Sequence, residues 1–164
     1  MDAALDSLLA SRSGALASGL EAGLLAEDAP HYRGAAAAER RARVERLVSA
    51  FLEATRAGGP APFVAHVRTI AGERAAEGYD LREIQLALSA LEAQAWPIVA
   101  GMGGDTDVVV RRLALVTGIV GRGKDERARA FLDPKERAEA RVHSLERRLA
   151  ELFKGTQSPP EGDA

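Results

Sequence analysis

Apolar side chains recur at helical spacing along nearly the whole chain, and that periodicity leaves little room for a sheet. Between Ala35 and Ala57, the residues Val44, Leu47, Val48, Phe51, Leu52 and Thr55 fall at i, i+3, i+4 and i+7. Those positions line one face of a helix. Gly58-Gly59-Pro60 follows and predicts a stop, because Gly frees the backbone for left-handed conformations and Pro cannot extend the hydrogen-bond ladder.

A second helix is expected to start near Pro62, with Phe63, Val67, Ile70 and Arg74 on one face and Gly78 as its C-terminal cap. Asp80 with Glu83 three residues on reads as a variant capping box for a third helix. That helix is expected to bury Leu81, Ile84, Leu88, Leu91 and Ala95, and to end at Trp96-Pro97 and the glycines from Gly101 to Gly104. Ahead of these, shorter helices are expected around Leu5–Leu9 and Leu16–Leu25.

Val108 to Val120 is richer in β-branched residues, which favour strands. Yet Val109, Leu113, Val116 and Val120 fit one helix face, and Arg111-Arg112 sit poorly in a buried strand. The segment therefore reads as helix, kinked or frayed at Gly118, Gly121 and Gly123. A separate last helix is expected from Asp133, with Pro134 at its first position and Glu136 completing the cap. Within it Ala138, Val142, Leu145, Leu149 and Leu152 alternate by four and three, the spacing of a short coiled-coil seam. Such a stripe needs cover, either from a second copy of the chain or from the chain's own core. The Pro- and Gly-rich residues after it read as a disordered tail. The organisation expected is a helical domain over 1–133, a linker-type helix over 134–154 and a tail over 155–164.

Composition removes several function classes. The chain has 164 residues, enough for one sizeable core, and carries 22 basic against 24 acidic residues for a net charge of −2. That balance gives no reason to expect nucleic acid or an anionic membrane surface as a partner. With no cysteine, thiolate zinc sites, iron–sulfur clusters, disulfides and a Cys nucleophile are excluded. The first residues lack the basic start of a signal peptide, and no apolar run reaches membrane-spanning length. A cytoplasmic location is expected.

The stretch TGIVGRGKDE raises the question of a nucleotide, since Gly118, Gly123 and Lys124 stand at P-loop spacing. A P-loop needs a strand before it and Ser or Thr after the Lys to hold Mg²⁺. Here Asp125 follows Lys124, and a carboxylate there repels phosphate. The reading preferred is a helix with a solvated, charged continuation.

Of the three histidines, His31 lies at a helix entrance beside Pro30, His66 in the second helix and His143 in the last. None stands at metal-ligand spacing with a second His or carboxylate. His66 is the best candidate for binding haem iron or another small ligand, though a half-buried, locally bonded His is the commoner role. A phosphotransfer His is disfavoured, because Thr69 and Ile70 stand where such domains carry Lys and Gly. Glu39, Glu45, Glu53 and Glu83 read as solvated helix charges, and no nucleophile elbow or acid–base pair is evident. No enzyme activity is expected.

The stretch from Pro62 to Trp96 resembles the N-terminal domain of the RsbR and RsbRD stressosome co-antagonists of bacteria. Arg74, Gly78, Leu81, Ile84, Leu88 and Trp96 carry the likeness. The resemblance implies an all-α, globin-like, haem-free domain that dimerises and serves as a sensory input module, with no cofactor. It implies stressosome or partner-switching proteins as partners. Members of that family follow the domain with a linking helix and a phosphorylated STAS domain. Here the helix from Pro134 matches the linker, and the sequence holds no STAS segment after it. The fold expected is thus a globin-like helical bundle with a C-terminal amphipathic helix. Its function is expected to be regulatory and non-enzymatic, in bacterial stress signalling, through protein–protein contact as a homodimer. Phe63, Tyr79 and Trp96 are candidates to line a small apolar pocket.

Overall fold

The computed structural model describes residues 2–76 and 81–155. Among them the chain is all-α, with seven helices and no strand. The helices are α1 (Ala3–Ser11), α2 (Ser13–Ala26), α3 (Pro30–Gly34), α4 (Ala37–Ala57), α5 (Ala61–Ala76), α6 (Leu81–Ala100) and α7 (Thr106–Gly155). The chain divides into two units, Met1–Phe131 and Leu132–Ala164.

The first unit is built on the stripes that the periodicity marks out. Leu5 and Leu9 of α1, Leu16, Leu20 and Leu24 of α2, and Val44, Leu47, Val48 and Phe51 of α4 are buried together. Phe63 and Val67 of α5, Ile84, Leu88 and Leu91 of α6, and Val116, Ile119 and Val120 of α7 complete the core. Three ends of these helices have a clear local cause. Asp2 accepts a hydrogen bond from the Leu5 N–H at 3.0 Å and so caps α1. Gly58 takes φ 70° after α4. The Gly59 N–H then bonds the Ala54 carbonyl and the Gly58 N–H the Thr55 carbonyl, both at 3.1 Å. That pair of bonds is a Schellman close. Asp105 accepts from the Asp107 N–H at 2.9 Å at the start of α7.

A glycine sets how closely α7 approaches α5, while the glycines of α2 lie against yielding or ordinary contacts. On α2, a Cβ at Gly19 would collide with the Gln94 side chain of α6, and one at Gly23 would lie 3.6 Å from Ala90. On α7, a Cβ at Gly123 would lie 2.7 Å from a ring carbon of Phe63 and 3.3 Å from Val67. The missing side chain lets α7 pass directly over α5.

Two expectations about the last third of the chain are corrected. The glycines Gly118, Gly121 and Gly123 do not break the helix, and no new helix starts at Asp133. α7 runs for 50 residues through both places and through Pro134. At the glycines, propensity loses because a helix in a folded chain is held chiefly by packing of its apolar face. Val116, Ile119, Val120 and the Gly123 contact provide that packing. The helix therefore continues from the first unit into the second. In the second unit the seam positions Ala138 and Val142 are exposed, Val142 by 55 %. The side chains of Leu145, Leu149 and Leu152 lie outside the described residues, as does the segment 156–164.

Candidate functional site

The sequence-marked residues do not gather in one place. Phe63 is fully buried and meets Phe51 edge to face, with ring centroids 6.1 Å apart. Trp96 is 47 % exposed, and its indole N–H donates to Thr117 Oγ1 at 3.2 Å. One ring fills the core and the other lies across the outside of α6 and α7, so they line no common pocket. The size of an indole favours burial, but this one satisfies its N–H at the surface through α7. Tyr79 lies outside the described residues, as does Gly78. Arg74 and Leu81 belong to α5 and α6, and their side chains also lie outside them. Ile84 and Leu88 are core residues.

The P-loop spacing is likewise resolved by the backbone. Gly118 to Lys124 lie within α7, where the N–H groups serve the helix and form no anion cradle. Lys124 Nζ bonds Glu92 Oε2 of α6 at 2.7 Å, and Gly123 is spent on the approach to Phe63.

His66 does open onto a cavity. It has a volume of about 450 Å³ and is walled by side chains of α2, α3, α4, α5 and α6. Leu20 and Leu24, with Val44 and Leu47, form its apolar base, joined by Ile70, Ile84 and Ala87. Most of these are nearly closed to solvent, while Ile70 is partly exposed. Arg43, Arg46, His66, Thr69 and Glu73 supply the polar wall, and of these Arg46, Thr69 and Glu73 are exposed. The cavity thus grades from an apolar floor to a polar mouth, the pattern of a small-molecule site.

The charges at the mouth are unequal in their commitments. Arg43 is paired with Glu39 one turn earlier on α4. Among the described residues Arg46 makes no hydrogen bond or ion pair with a carboxylate. Burial pushes the His66 imidazole below its ordinary pKa, the Arg46 charge pushes it further, and Glu73 opposes them weakly. His66 is therefore neutral at pH 7, with one ring N–H to donate and one ring nitrogen to accept. The polar neighbours of that ring suit a small ligand with a polar head. They suit a haem poorly, since a haem needs apolar walls on both sides of its iron ligand.

Behind α3 lies a second polar feature that the spacing misassigned. Glu83 is 1 % exposed and is no solvated charge. It accepts from the His31 backbone N–H at 3.1 Å, and its other oxygen meets the His31 ring Nδ1 at 2.5 Å. The carboxylate thus serves a long-range contact between α3 and α6, 52 residues apart in sequence. No local pattern signals this, because a buried Glu and a solvated Glu look alike at helical spacing. By contrast Glu39 and Glu45 do form the expected i,i+4 pairs, with Arg43 and Arg41. No family model, curated protein or solved structure matches this chain.

Among the described residues no helix is long and apolar enough to cross a membrane.

Proposed function

We propose that the chain is a non-enzymatic sensory or regulatory domain that acts through protein–protein contact, as its likeness to the RsbR and RsbRD input domains implies. In this reading it pairs with a second copy through the last turns of α7 and works in bacterial stress signalling. One observation supports it most. Within the second unit, the seam residues Ala138 and Val142 of α7 stand exposed. An apolar stripe at four-three spacing on such a helix is stabilised by a partner helix, and a two-fold pair is the commonest way to supply one. Light scattering on the wild type and on the double variant Leu145→Glu, Leu149→Glu tests this. A dimer that becomes a monomer supports the reading, and a dimer that survives at low micromolar concentration overturns it.

A second reading is favoured by the cavity: the domain binds a small ligand beside His66, and ligand occupancy is the input. The cavity lies among the helices of the first unit, so an occupant touches both α4 and α5. Ligand-observed NMR with a fragment set separates this reading from the first, and a visible absorption band on adding haem would show that haem is the ligand.

A further inference from the structure

We infer that the cavity beside His66 takes a small monoanion with an apolar tail, a carboxylate of about six to ten carbons, a size suited to a small pocket. This rests on the small-ligand reading of the cavity and adds the chemistry of the ligand. The tail lies toward Leu24, Leu47 and Ile84, and the carboxylate faces Arg46 with the neutral His66 ring beside it.

Three features of the wall lead to this ligand. The buried part of the lining is mostly hydrocarbon, with Tyr32 of α3 beside it, and rewards burial of an alkyl or aryl group in proportion to its area. The mouth offers one guanidinium without a carboxylate partner among the described residues. A guanidinium is a planar fork that matches a carboxylate with two parallel hydrogen bonds. Glu73 stands at the same mouth, and Arg43 is already paired with Glu39. The charged side chains that line the cavity, Arg43 and Arg46 against Glu73, leave one net positive charge. One negative charge is matched at such a mouth, while the second charge of a phosphate dianion meets repulsion from Glu73 and, among the described lining residues, no second uncommitted cation. His66 contributes as a neutral donor. An anion beside it also offsets the Arg46 charge that, after burial, holds its pKa down.

The test titrates the full chain by isothermal calorimetry with octanoate, 1-octanol, octyl phosphate, octylamine and leucine. Octanoate is expected to bind at least about tenfold more tightly than octanol, because a charge-assisted hydrogen bond contributes on the order of a factor of ten to a hundred. Octyl phosphate and octylamine are expected to bind more weakly than octanoate. Arg46→Ala is expected to bring octanoate down to the level of octanol and leave octanol unchanged. Arg46 is exposed, so the variant keeps its fold, which circular dichroism checks. Arg46→Lys is expected to recover part of the loss. If octanol binds as well as octanoate and Arg46→Ala changes neither, the anion assignment is overturned while the cavity still holds a ligand. Preference for leucine or octylamine overturns it in favour of a head that Glu73 recognises. If none of the five compounds binds, the small-ligand reading itself fails.

Discussion

Replacing Gly123 with Ala tests the packing that decides the path of α7. Taken by itself the change favours the helix, since Ala exceeds Gly by about 1 kcal/mol in a helix interior. Gly118→Ala shows that gain undiluted: Gly118 is exposed, and a Cβ there has nothing within 4 Å. At Gly123 the new methyl comes 2.7 Å and 3.0 Å from two carbons of the Phe63 ring. Contacts that short require something to move. The ring cannot easily yield, being fully buried and set edge-on against Phe51. Forcing an extra methyl into a filled core costs about 1–3 kcal/mol. The net effect of Gly123→Ala is then a loss of about 0–2 kcal/mol, set against a gain of about 1 kcal/mol for Gly118→Ala. For a chain of this size each kcal/mol moves Tm by about 2–4 °C. Gly118→Ala is expected to melt a few degrees above the wild type, and Gly123→Ala at or below it. Adding Phe63→Leu to Gly123→Ala should recover part of the loss, a coupling that a double-mutant cycle reads directly. Equal stabilisation by both alanines, with no coupling to Phe63, would refute the close approach of α5 and α7.

Three further outcomes follow from the polar contacts. Asp2 caps α1 and also bonds Arg112 of α7, at 2.6 Å and 3.3 Å; Asp2→Ala is expected to cost about 1–2 kcal/mol in urea unfolding, mostly the cap, and Asp2→Asn less. Glu83→Ala removes the acceptor of both His31 groups and is expected to cost about 1–3 kcal/mol, whereas Glu53→Ala on the exposed face should be near neutral. His66 has a folded pKa below its unfolded value of 6.5, so the unfolded chain takes up its proton first as pH falls. Its share of stability is complete above 6.5 and is lost below it, down through the folded pKa. His66→Gln is therefore expected to flatten the decline of Tm between pH 7 and 5. A decline of equal slope in the variant would remove His66 as its source.

The candidate site was less legible than the fold. His66 was identifiable as a candidate because it stands on the helix that carries Phe63 and Val67, and it does line the cavity. Arg43 and Arg46 carried no signal: on α4 they read as ordinary polar-face charges, and only the docking of α5 brings His66 against them. Trp96 misled for a different reason. Hydrophobic size predicts burial, but the single N–H of an indole is satisfied wherever a partner lies, and here Thr117 lies at the surface. Glu83 misled because a pairing 52 residues distant leaves no trace in local spacing.

What the sequence determined by itself was the helical class, most helix ends and the core stripes. These depend on local chemistry: a 3.6-residue period, a Gly that accepts positive φ at position 58, an Asp that caps at position 2 or 105. Only the tertiary structure decided the fate of the last third. Three glycines and Pro134 signal breaks locally, yet α7 runs through all of them. At the glycines, its buried face and the bare Cα of Gly123 against Phe63 hold it in place. Packing energy gathered along a whole face exceeds a local propensity cost of about 1 kcal/mol at each glycine. That sum exists only once α5 and α7 have met.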